Sequence, residues 1–222
     1  MDLFTSPMTQ LLVDAEGGVR YWPSFVDADT ADAWFEVLQH ADWKSQRRMM
    51  YDREVDVPRL TTGCWLDELP ADSPLPFADM LERVQALVPA PFSAVGMNLY
   101  RDGRDSVAMH HDKLHMLVSG QPIALVSLGD ARRMRIRAQA DHRDAIDVPL
   151  AHGSLLAMSH ASQLTHEHGI PKTVRPMGPR MSVVFRVRPL NRRLGGQNLP
   201  ARHSSVEAAH APGLCHGPHS GQ

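Results

Sequence analysis

Apolar residues recur at helical spacing in two stretches near the start of the chain. A first helix is predicted after Asp27 or Asp29, either of which can cap it, with Trp34 and Leu38 on its apolar face. Pro76 favours the start of a second helix, whose apolar residues share one face: Phe77, Met80, Leu81, Val84, Leu87 and Val88. Residues 44–76 are rich in charged and turn-forming types, and no strand is predicted there.

After residue 93 the pattern changes to short β-type runs separated by turn signals such as Arg101-Asp-Gly-Arg and His152-Gly. The predicted strands are 95–100, 107–111, 123–128, 134–137, 155–158 and 181–187. Many short strands with little helix are typical of a closed or double-sheet β architecture. The predicted fold class is therefore α+β but mainly β, a jelly roll with the N-terminal helices packed on it.

The 222 residues can bury a full core, and the simplest organisation is one domain over residues 1–189, with helices in 1–92 and the β core in 93–189. Residues 190–222 contain no aromatic residue and several glycines and prolines, which predicts a disordered tail. Two cysteines, Cys64 and Cys215, make a structural disulfide improbable. With no apolar stretch for a membrane span and no secretory signal pattern, we expect a cytoplasmic monomer without membrane contact.

The formal net charge of −2 argues against binding nucleic acid by bulk attraction, so any phosphate contact needs a local basic patch. Two segments supply arginines for such a patch: Arg47, Arg48 and Arg53 in one, and Arg132, Arg133, Arg135 and Arg137 in the other. A solvated strand or loop face explains each segment equally well.

The spacing His-x-Asp occurs three times: His40/Asp42, His110/Asp112 and His142/Asp144. Residues two apart on a strand point to the same face, so this spacing aims an imidazole and a carboxylate at one point. With a distant histidine they form a 2-His-1-carboxylate triad, which leaves positions on Fe(II) for a co-substrate and dioxygen. Only the pair at 110 and 112 lies on a predicted strand flanked by apolar residues.

Three histidines that follow the predicted strand 155–158 compete for the remaining ligand position: His160, His166 and His168. His168 precedes Gly-Ile-Pro, where a small residue and a proline define the exit of a loop. It is preferred over His166 mainly because of the family resemblance described below. For His111, His115 and His160 a packed or solvent-facing position is expected.

The last predicted strand carries arginine at both ends of one face, since Arg180, Ser182, Val184 and Arg186 alternate with apolar residues. Guanidinium groups bind carboxylates bidentately, so Arg180 and Arg186 predict a small dicarboxylate ligand. The alternative is an edge strand whose arginines face water.

Four blocks, in this order, resemble the AlkB family of nucleic-acid demethylases: Asn98-Leu-Tyr100-Arg-Asp-Gly, His110-His-Asp112, His168-Gly-Ile-Pro and Arg180-Met-Ser-Val-Val-Phe-Arg186. The segment that begins Pro58-Arg59-Leu-Thr is similar to the family's nucleotide-recognition segment. The resemblance covers about residues 55–189 and implies a double-stranded β-helix. It also implies Fe(II)- and 2-oxoglutarate-dependent demethylation of N-alkylated bases in DNA or RNA, with O2 consumed and formaldehyde, succinate and CO2 released.

Carried over by position, the resemblance implies that the catalytic residues His110, Asp112 and His168 bind the iron. The residues implied to hold 2-oxoglutarate are Asn98 and Tyr100 by hydrogen bonds, Arg180 at the distal carboxylate and Arg186 near the metal-bound end. Arg59 lies in the segment implied to recognise substrate. Trp65 is either a stacking surface for a flipped base or a core residue.

The chain departs from the family pattern at two places. Leu114, followed by His115, stands where the family usually has an acidic residue that contacts the base. The aromatic residues after the Pro-Arg segment are altered to Thr62-Gly-Cys-Trp65. Three alternatives therefore stay open: the same chemistry on a protein or small molecule, a non-catalytic jelly roll that binds a metal or carboxylate, and a zinc hydrolase.

Overall fold

A computed structural model describes residues 7–50, 53–70 and 72–189 of the chain. The helices within these residues are α1 (Ala28–Leu38), α2 (Phe77–Leu87) and α3 (Ser162–Thr165). The strands are β1 (Thr9–Leu12), β2 (Val19–Trp22), β3 (Lys44–Met50), β4 (Arg53–Trp65), β5 (Ala94–Tyr100), β6 (Val107–His110), β7 (Ile123–Gly129), β8 (Arg132–Ala138), β9 (Ala145–Leu150), β10 (Ser154–Met158), β11 (His166–Ile170) and β12 (Arg180–Arg186). The predicted tail, residues 190–222, lies outside the described residues.

The strands form two antiparallel sheets. The large sheet has eight strands in the order β1-β2-β10-β7-β12-β5-β4-β3, and the small sheet has four in the order β6-β11-β8-β9. β12 lies inside the large sheet and pairs along its length with β5 on one side and β7 on the other. The predicted fold class, mainly β with two antiparallel sheets and few helices, is confirmed.

The large sheet is buried on both faces, which makes the molecule three layers thick. On one face, Trp34 of α1 and Met80 of α2 belong to the same core as Phe185 of β12. On the other face, Leu125 of β7 shares a second core with Ile136 of the small sheet. This second core lies between the two sheets, and the polar residues described below lie at its margin.

Capping and one side-chain contact hold the two longer helices in place. Asp27 caps α1, because its Oδ1 accepts a hydrogen bond from the Thr30 backbone N–H at 2.7 Å. Trp34 Nε1 donates to Asp79 Oδ2 at 3.1 Å, which ties α1 to α2. Among the described residues, no helix has the length and apolar character that crossing a membrane requires.

The sequence pattern predicts no strand in residues 44–76, but β3 and β4 form a hairpin there, at one edge of the large sheet. β4 is 13 residues long and pairs with β5 through residues 60–65. Its pairing with β3 slips between Ser45 and Arg47, and the slip spans Pro58, which has no N–H to donate. The charged residues and the proline of β4 gave it no strand-like sequence pattern, and its pairing with β5 stabilises it as a strand.

The remaining predicted strands are all present, with ends that differ by no more than two residues. The sequence pattern does not predict β1, β2, β9 or β11. These are short strands or carry polar residues, and they complete their sheets by pairing with neighbouring strands. Long-range pairing therefore outweighs local propensity in them.

Arg132 is a structural residue, and it does not contribute to a basic surface. It is 3% exposed. Its Nη1 donates to the Asp102 carbonyl, and its Nη2 donates to the carbonyls of Asp105 and Pro171, each at 2.9 Å. The side chain thereby joins the loop after β5 to the loop after β11.

The other arginines of β8 are neutralised by acidic neighbours. Arg133 and Arg135 both lie near Asp147, at 3.2 Å and 4.0 Å, and Arg137 pairs with Glu167 at 2.9 Å. Their segment is thus an ion-paired strand face, the plainer of the two interpretations. In the other predicted patch Arg47 pairs with Asp56 at 3.1 Å, and the side chains at 48 and 53 lie outside the described residues.

Replacing Arg132 with methionine should destabilise the protein, because three carbonyl groups would lose their buried donor. We expect the free energy of unfolding to fall by at least about 2 kcal/mol. The matched control is Arg133→Met on the same strand, where an exposed ion pair contributes less than about 1 kcal/mol. Denaturant titration of both variants is the measurement, and equal losses would contradict the structural role of Arg132.

Candidate metal centre

Two strands of the small sheet bring a pair of histidines together. β6 and β11 are antiparallel, with His110 directly opposite His168. The centroids of the two imidazole rings are 4.5 Å apart. Asp112 follows shortly after His110, and one possible ligand atom from each of the three residues lies within 4.8 Å of the others. The structure thus gathers the three side chains that the sequence predicts as metal ligands.

Asp112 does not lie on a strand, although the sequence predicts that His110 and Asp112 share one. β6 ends at His110, and Asp112 lies in the segment that follows. Its backbone N–H donates to Gln163 Oε1 at 3.0 Å, and its Oδ2 accepts from Arg186 Nε at 2.6 Å. Side chains from α3 and β12 therefore position the carboxylate.

Gln163 is a site residue that sequence reasoning missed. It is 2% exposed, and its Nε2 donates to Ser162 Oγ at 3.2 Å while its Oε1 accepts from Asp112. No motif marks it, since α3 has only four residues and a glutamine can occupy any surface turn. Gln163 lies 51 positions after Asp112 in the chain, and only the tertiary structure brings the two residues into contact.

The electrostatic environment keeps the three side chains in metal-binding forms. Burial lowers the pKa of His168 to about 3, and repulsion from His110 acts in the same direction. Burial also lowers the pKa of His110. Burial by itself would raise the pKa of Asp112, but attraction and a hydrogen bond from Arg186 hold it well below its usual range. Two neutral imidazoles and a carboxylate are the deprotonated ligands that a divalent metal requires.

The orientation of His110 leaves one ring nitrogen for a metal. Its Nδ1 lies 2.9 Å from the Ala108 carbonyl oxygen, which can only accept a hydrogen bond. The proton is therefore on Nδ1, and the lone pair of Nε2 is free. The donor set, two imidazoles and one carboxylate, fits Fe(II) with coordination positions left open.

The other histidines and aspartates that the sequence offers as metal ligands do not join this triad. The residues of the other two His-x-Asp pairs are exposed, as the sequence predicts: His40, Asp42, His142 and Asp144. His166 also belongs to β11, but it pairs with Ala138 and its Nδ1 contacts Thr165 Oγ1 at 2.8 Å. Among the described residues, the one group of ligands close enough for a metal is the triad above.

Arg180 provides a buried guanidinium fork. It is 0% exposed, its Nε donates to Ser127 Oγ at 3.1 Å, and its Cζ is 5.1 Å from the Tyr100 ring centroid. Within the described part of the chain, Nη1 and Nη2 are buried without a hydrogen-bond partner. Burial lowers the pKa of Arg180 to about 10, so the group is still charged at neutral pH. A buried charge of this kind is costly unless an anion pairs with it.

Asn98 is held from both sides by polar neighbours. Arg59 Nε donates to Asn98 Oδ1 at 2.7 Å, and Asn98 Nδ2 donates to Ser182 Oγ at 3.3 Å. Arg59 Nη1 also donates to the Ser106 carbonyl at 3.4 Å. Arg59 therefore connects β4 to β5 and orients the amide of Asn98. The sequence singles out Asn98 and Arg59 but gives no signal that they contact each other.

Trp65 lies on the face of the large sheet that carries Arg186. It pairs with Ala94 of β5, and Ala94 pairs with Arg186 of β12. Directly paired residues project from the same face of a sheet. Trp65 is only 5% exposed, and Ala94 lies between it and Arg186 on that face.

Comparison with known proteins gives one family and a consistent group of relatives. A family model described as the 2OG-Fe(II) oxygenase superfamily matches residues 18–195. The alpha-ketoglutarate-dependent dioxygenase alkB homolog 3 of Mus musculus is 31% identical over 188 residues, covering 76% of this chain and 65% of that protein. The DNA oxidative demethylase ALKBH2 of Homo sapiens is 34% identical over 129 residues, covering 51% of this chain and 48% of that protein. The chain thus spans less than two thirds of these relatives.

Solved structures agree in fold. OsALKBH1 superposes with a TM-score of 0.57 at 16% identity, over 82% of this chain and all of that chain. An oxidoreductase of the 2OG-Fe(II) oxygenase family from Burkholderia pseudomallei gives a TM-score of 0.53 at 14% identity, over 76% of this chain and 84% of that chain. At such identities the likeness concerns the architecture.

Gln163→Leu should weaken the binding of a divalent metal, because Asp112 would lose the acceptor that fixes its backbone. A loss of about tenfold or more in affinity is expected, as for other residues that orient metal ligands. The measurement is anaerobic titration with Fe(II). Gln139→Leu is the control, since that side chain approaches the Gln163 carbonyl at 3.5 Å and does not contact the triad. Unchanged affinity in Gln163→Leu would show that Asp112 is positioned without it.

Proposed function

The chain belongs to the 2OG-Fe(II) oxygenase superfamily as an AlkB-type member, and we propose that it oxidatively removes alkyl groups from the bases of DNA or RNA. The observation that carries the proposal is the buried guanidinium fork of Arg180, at one end of the strand whose other end contacts the metal centre. A metal site alone does not require such a fork, whereas a dicarboxylate co-substrate does.

In this proposal His110, Asp112 and His168 bind Fe(II). Their deprotonated forms and their proximity support the assignment. When bound, Fe(II) and 2-oxoglutarate supply oxidising chemistry that consumes O2, yields succinate and CO2, and hydroxylates the alkyl group of the substrate. A hydroxylated N-methyl group then leaves the base as formaldehyde.

The polar residues of β5 and β12 hold the co-substrate. Arg180 pairs with the distal carboxylate through the two terminal nitrogens that lack a protein partner. Tyr100, which is 3% exposed, lies beside that guanidinium, and Asn98 lines the same face of the sheet. Arg186 acts near the metal-bound end, where it also keeps Asp112 charged.

Alkylated nucleic acid is the substrate that the relatives' names support, since ALKBH2 is named a DNA oxidative demethylase. A base must leave the stack to reach a metal inside the protein, and damaged bases pair poorly, which lowers the cost. In the proposal Trp65 and Arg59 form the side of the site that the base enters. Trp65 projects from the same face of the sheet as Arg186, and Arg59 donates a hydrogen bond to Asn98, which supports placing both near the proposed co-substrate residues.

A protein or small-molecule substrate for the same chemistry is the second candidate. Leu114 replaces the acidic residue that the family uses at the base, and the arginines of β8 are paired or buried. These two features reduce the number of groups available to nucleic acid. They do not affect the metal and co-substrate residues.

The test of the proposed function is formaldehyde release from single-stranded oligonucleotides that carry an N-methylated base. The wild-type protein with Fe(II), 2-oxoglutarate and ascorbate should release formaldehyde, and Asp112→Ala should lose at least about 99% of this activity. Asp144→Ala, in an exposed His-x-Asp pair, is the matched control and should behave as wild type. Succinate formed without formaldehyde from any methylated oligonucleotide would favour the second candidate.

Arg180→Met should weaken 2-oxoglutarate binding while leaving metal binding intact. Loss of a bidentate, charge-assisted contact predicts an increase in Kd of about 100-fold. The metal-to-ligand absorbance band of the anaerobic Fe(II) complex, titrated with 2-oxoglutarate, measures this. The free protein should be destabilised little, because the buried guanidinium has no acidic partner there and its two terminal nitrogens make no hydrogen bond within the described residues. An unchanged Kd would contradict the assigned role.

A further inference from the structure

Arg188 extends the row of arginines on β12 beyond the end of the strand. The Ser93 N–H donates to the Arg186 carbonyl at 3.0 Å, and the Arg188 N–H donates to Ser93 Oγ at 2.9 Å. The Val118 N–H donates to the Val187 carbonyl at 3.0 Å. These bonds hold the chain after the strand on both sides. Arg186 and Arg188 are two positions apart in this extension, so their side chains leave the backbone on the same side.

The Arg188 side chain is half-buried, and it leaves the backbone on the same side as Arg186, whose Nε contacts Asp112 of the metal centre at 2.6 Å. Burial lowers the pKa of Arg188 to about 10, repulsion from Arg186 acts in the same direction, and attraction to Asp112 opposes both. The group is therefore charged at neutral pH. Among the described residues, no acidic side chain or hydrogen-bond acceptor contacts this guanidinium.

A partly desolvated cation without a counter-ion raises the free energy of the free protein, and a bound anion offsets that cost. The proposed co-substrate does not need Arg188. Its distal carboxylate has the fork of Arg180, and its metal-bound end has Arg186. Arg188 is therefore available to bind an anionic group of the other reactant, which is the substrate.

We propose that Arg188 binds a phosphate group of the nucleic-acid substrate next to the alkylated base, an inference that rests on the proposed function. A single guanidinium near the metal suits a chain with a net charge of −2, which cannot attract a polyanion over its whole surface. Phosphate contacts of this kind fix the position of the nucleic acid and carry no base specificity.

The experiment pairs a protein variant with a substrate variant. Binding is measured without turnover, on the full chain with Fe(II) and 2-oxoglutarate under anaerobic conditions. The probe is a short single-stranded DNA with one 1-methyladenine, in which a neutral methylphosphonate replaces each phosphate flanking that nucleotide in turn. Arg188→Gln should raise the Kd of the unmodified probe about tenfold. It should also lower the slope of log Kd against log salt by about one.

The decisive result is the coupling between the two changes. For wild type, the methylphosphonate at one flanking position should raise the Kd about tenfold, and for Arg188→Gln the same replacement should have no effect. Arg188→Lys keeps the charge and should retain most of the affinity. Arg175→Gln removes one exposed arginine from the loop that precedes β12 and should leave the Kd unchanged.

Three outcomes would overturn the proposal. The effects of Arg188→Gln and of the methylphosphonates would be additive, or Arg188→Gln would weaken 2-oxoglutarate binding, or wild type would bind no methylated oligonucleotide. Formaldehyde release, measured separately in air, distinguishes this proposal from the proposed function. Release without coupling would retain the demethylase and reject the Arg188 contact. Coupling without release would retain the contact and reject the demethylase.

Discussion

The ion pair between Arg186 Nε and Asp112 Oδ2, at 2.6 Å, connects the two sheets at the metal centre. Arg186 ends a strand in the interior of the large sheet, whereas Asp112 follows the edge strand of the small sheet. No strand holds Asp112, so this contact and the hydrogen bond from its N–H to Gln163 determine where the carboxylate lies. The same contact keeps the carboxylate charged despite burial, and it sets the spacing between the metal ligands and the proposed co-substrate pocket.

β12 and the two residues that follow it carry three arginines on one side of the chain: Arg180, Arg186 and Arg188. Only Arg186 has a carboxylate partner among the described residues. Buried or half-buried charges of like sign are unfavourable, and β12 can carry them because it pairs on both sides with long neighbours, β5 and β7. Anions that bind to these arginines offset part of this unfavourable electrostatic free energy, so the folded protein is more stable when its ligands are bound.

The residues proposed for the chemistry and those proposed for substrate recognition lie on different parts of the architecture. The proposed co-substrate residues lie on central strands of the large sheet, where both neighbours fix the backbone. Trp65 and Arg59 lie on β4 next to the edge of that sheet, and Leu114 follows the edge strand of the small one. Strands at the edge of a sheet make fewer backbone hydrogen bonds to neighbouring strands, so amino-acid substitutions there disturb the core less. This is consistent with the resemblance seen in the sequence, which matches the family pattern at the proposed metal and co-substrate residues and departs from it at Leu114 and after the Pro-Arg segment.

The sequence by itself determined the two longer helices and the strands with clear alternation, because side-chain periodicity is local. With the family resemblance, it also singled out the three side chains that the structure gathers as a candidate metal centre. The sequence did not predict the hairpin of β3 and β4, because the charged residues and proline of β4 give no strand pattern and the strand forms by pairing with β5. It also gave no sign that Gln163 holds Asp112, that Arg59 holds Asn98, or that Arg132 is buried while its neighbours on β8 pair with acids. These contacts join residues far apart in the chain, and hydrogen bonding and burial at such distances are decided only when the two sheets pack together.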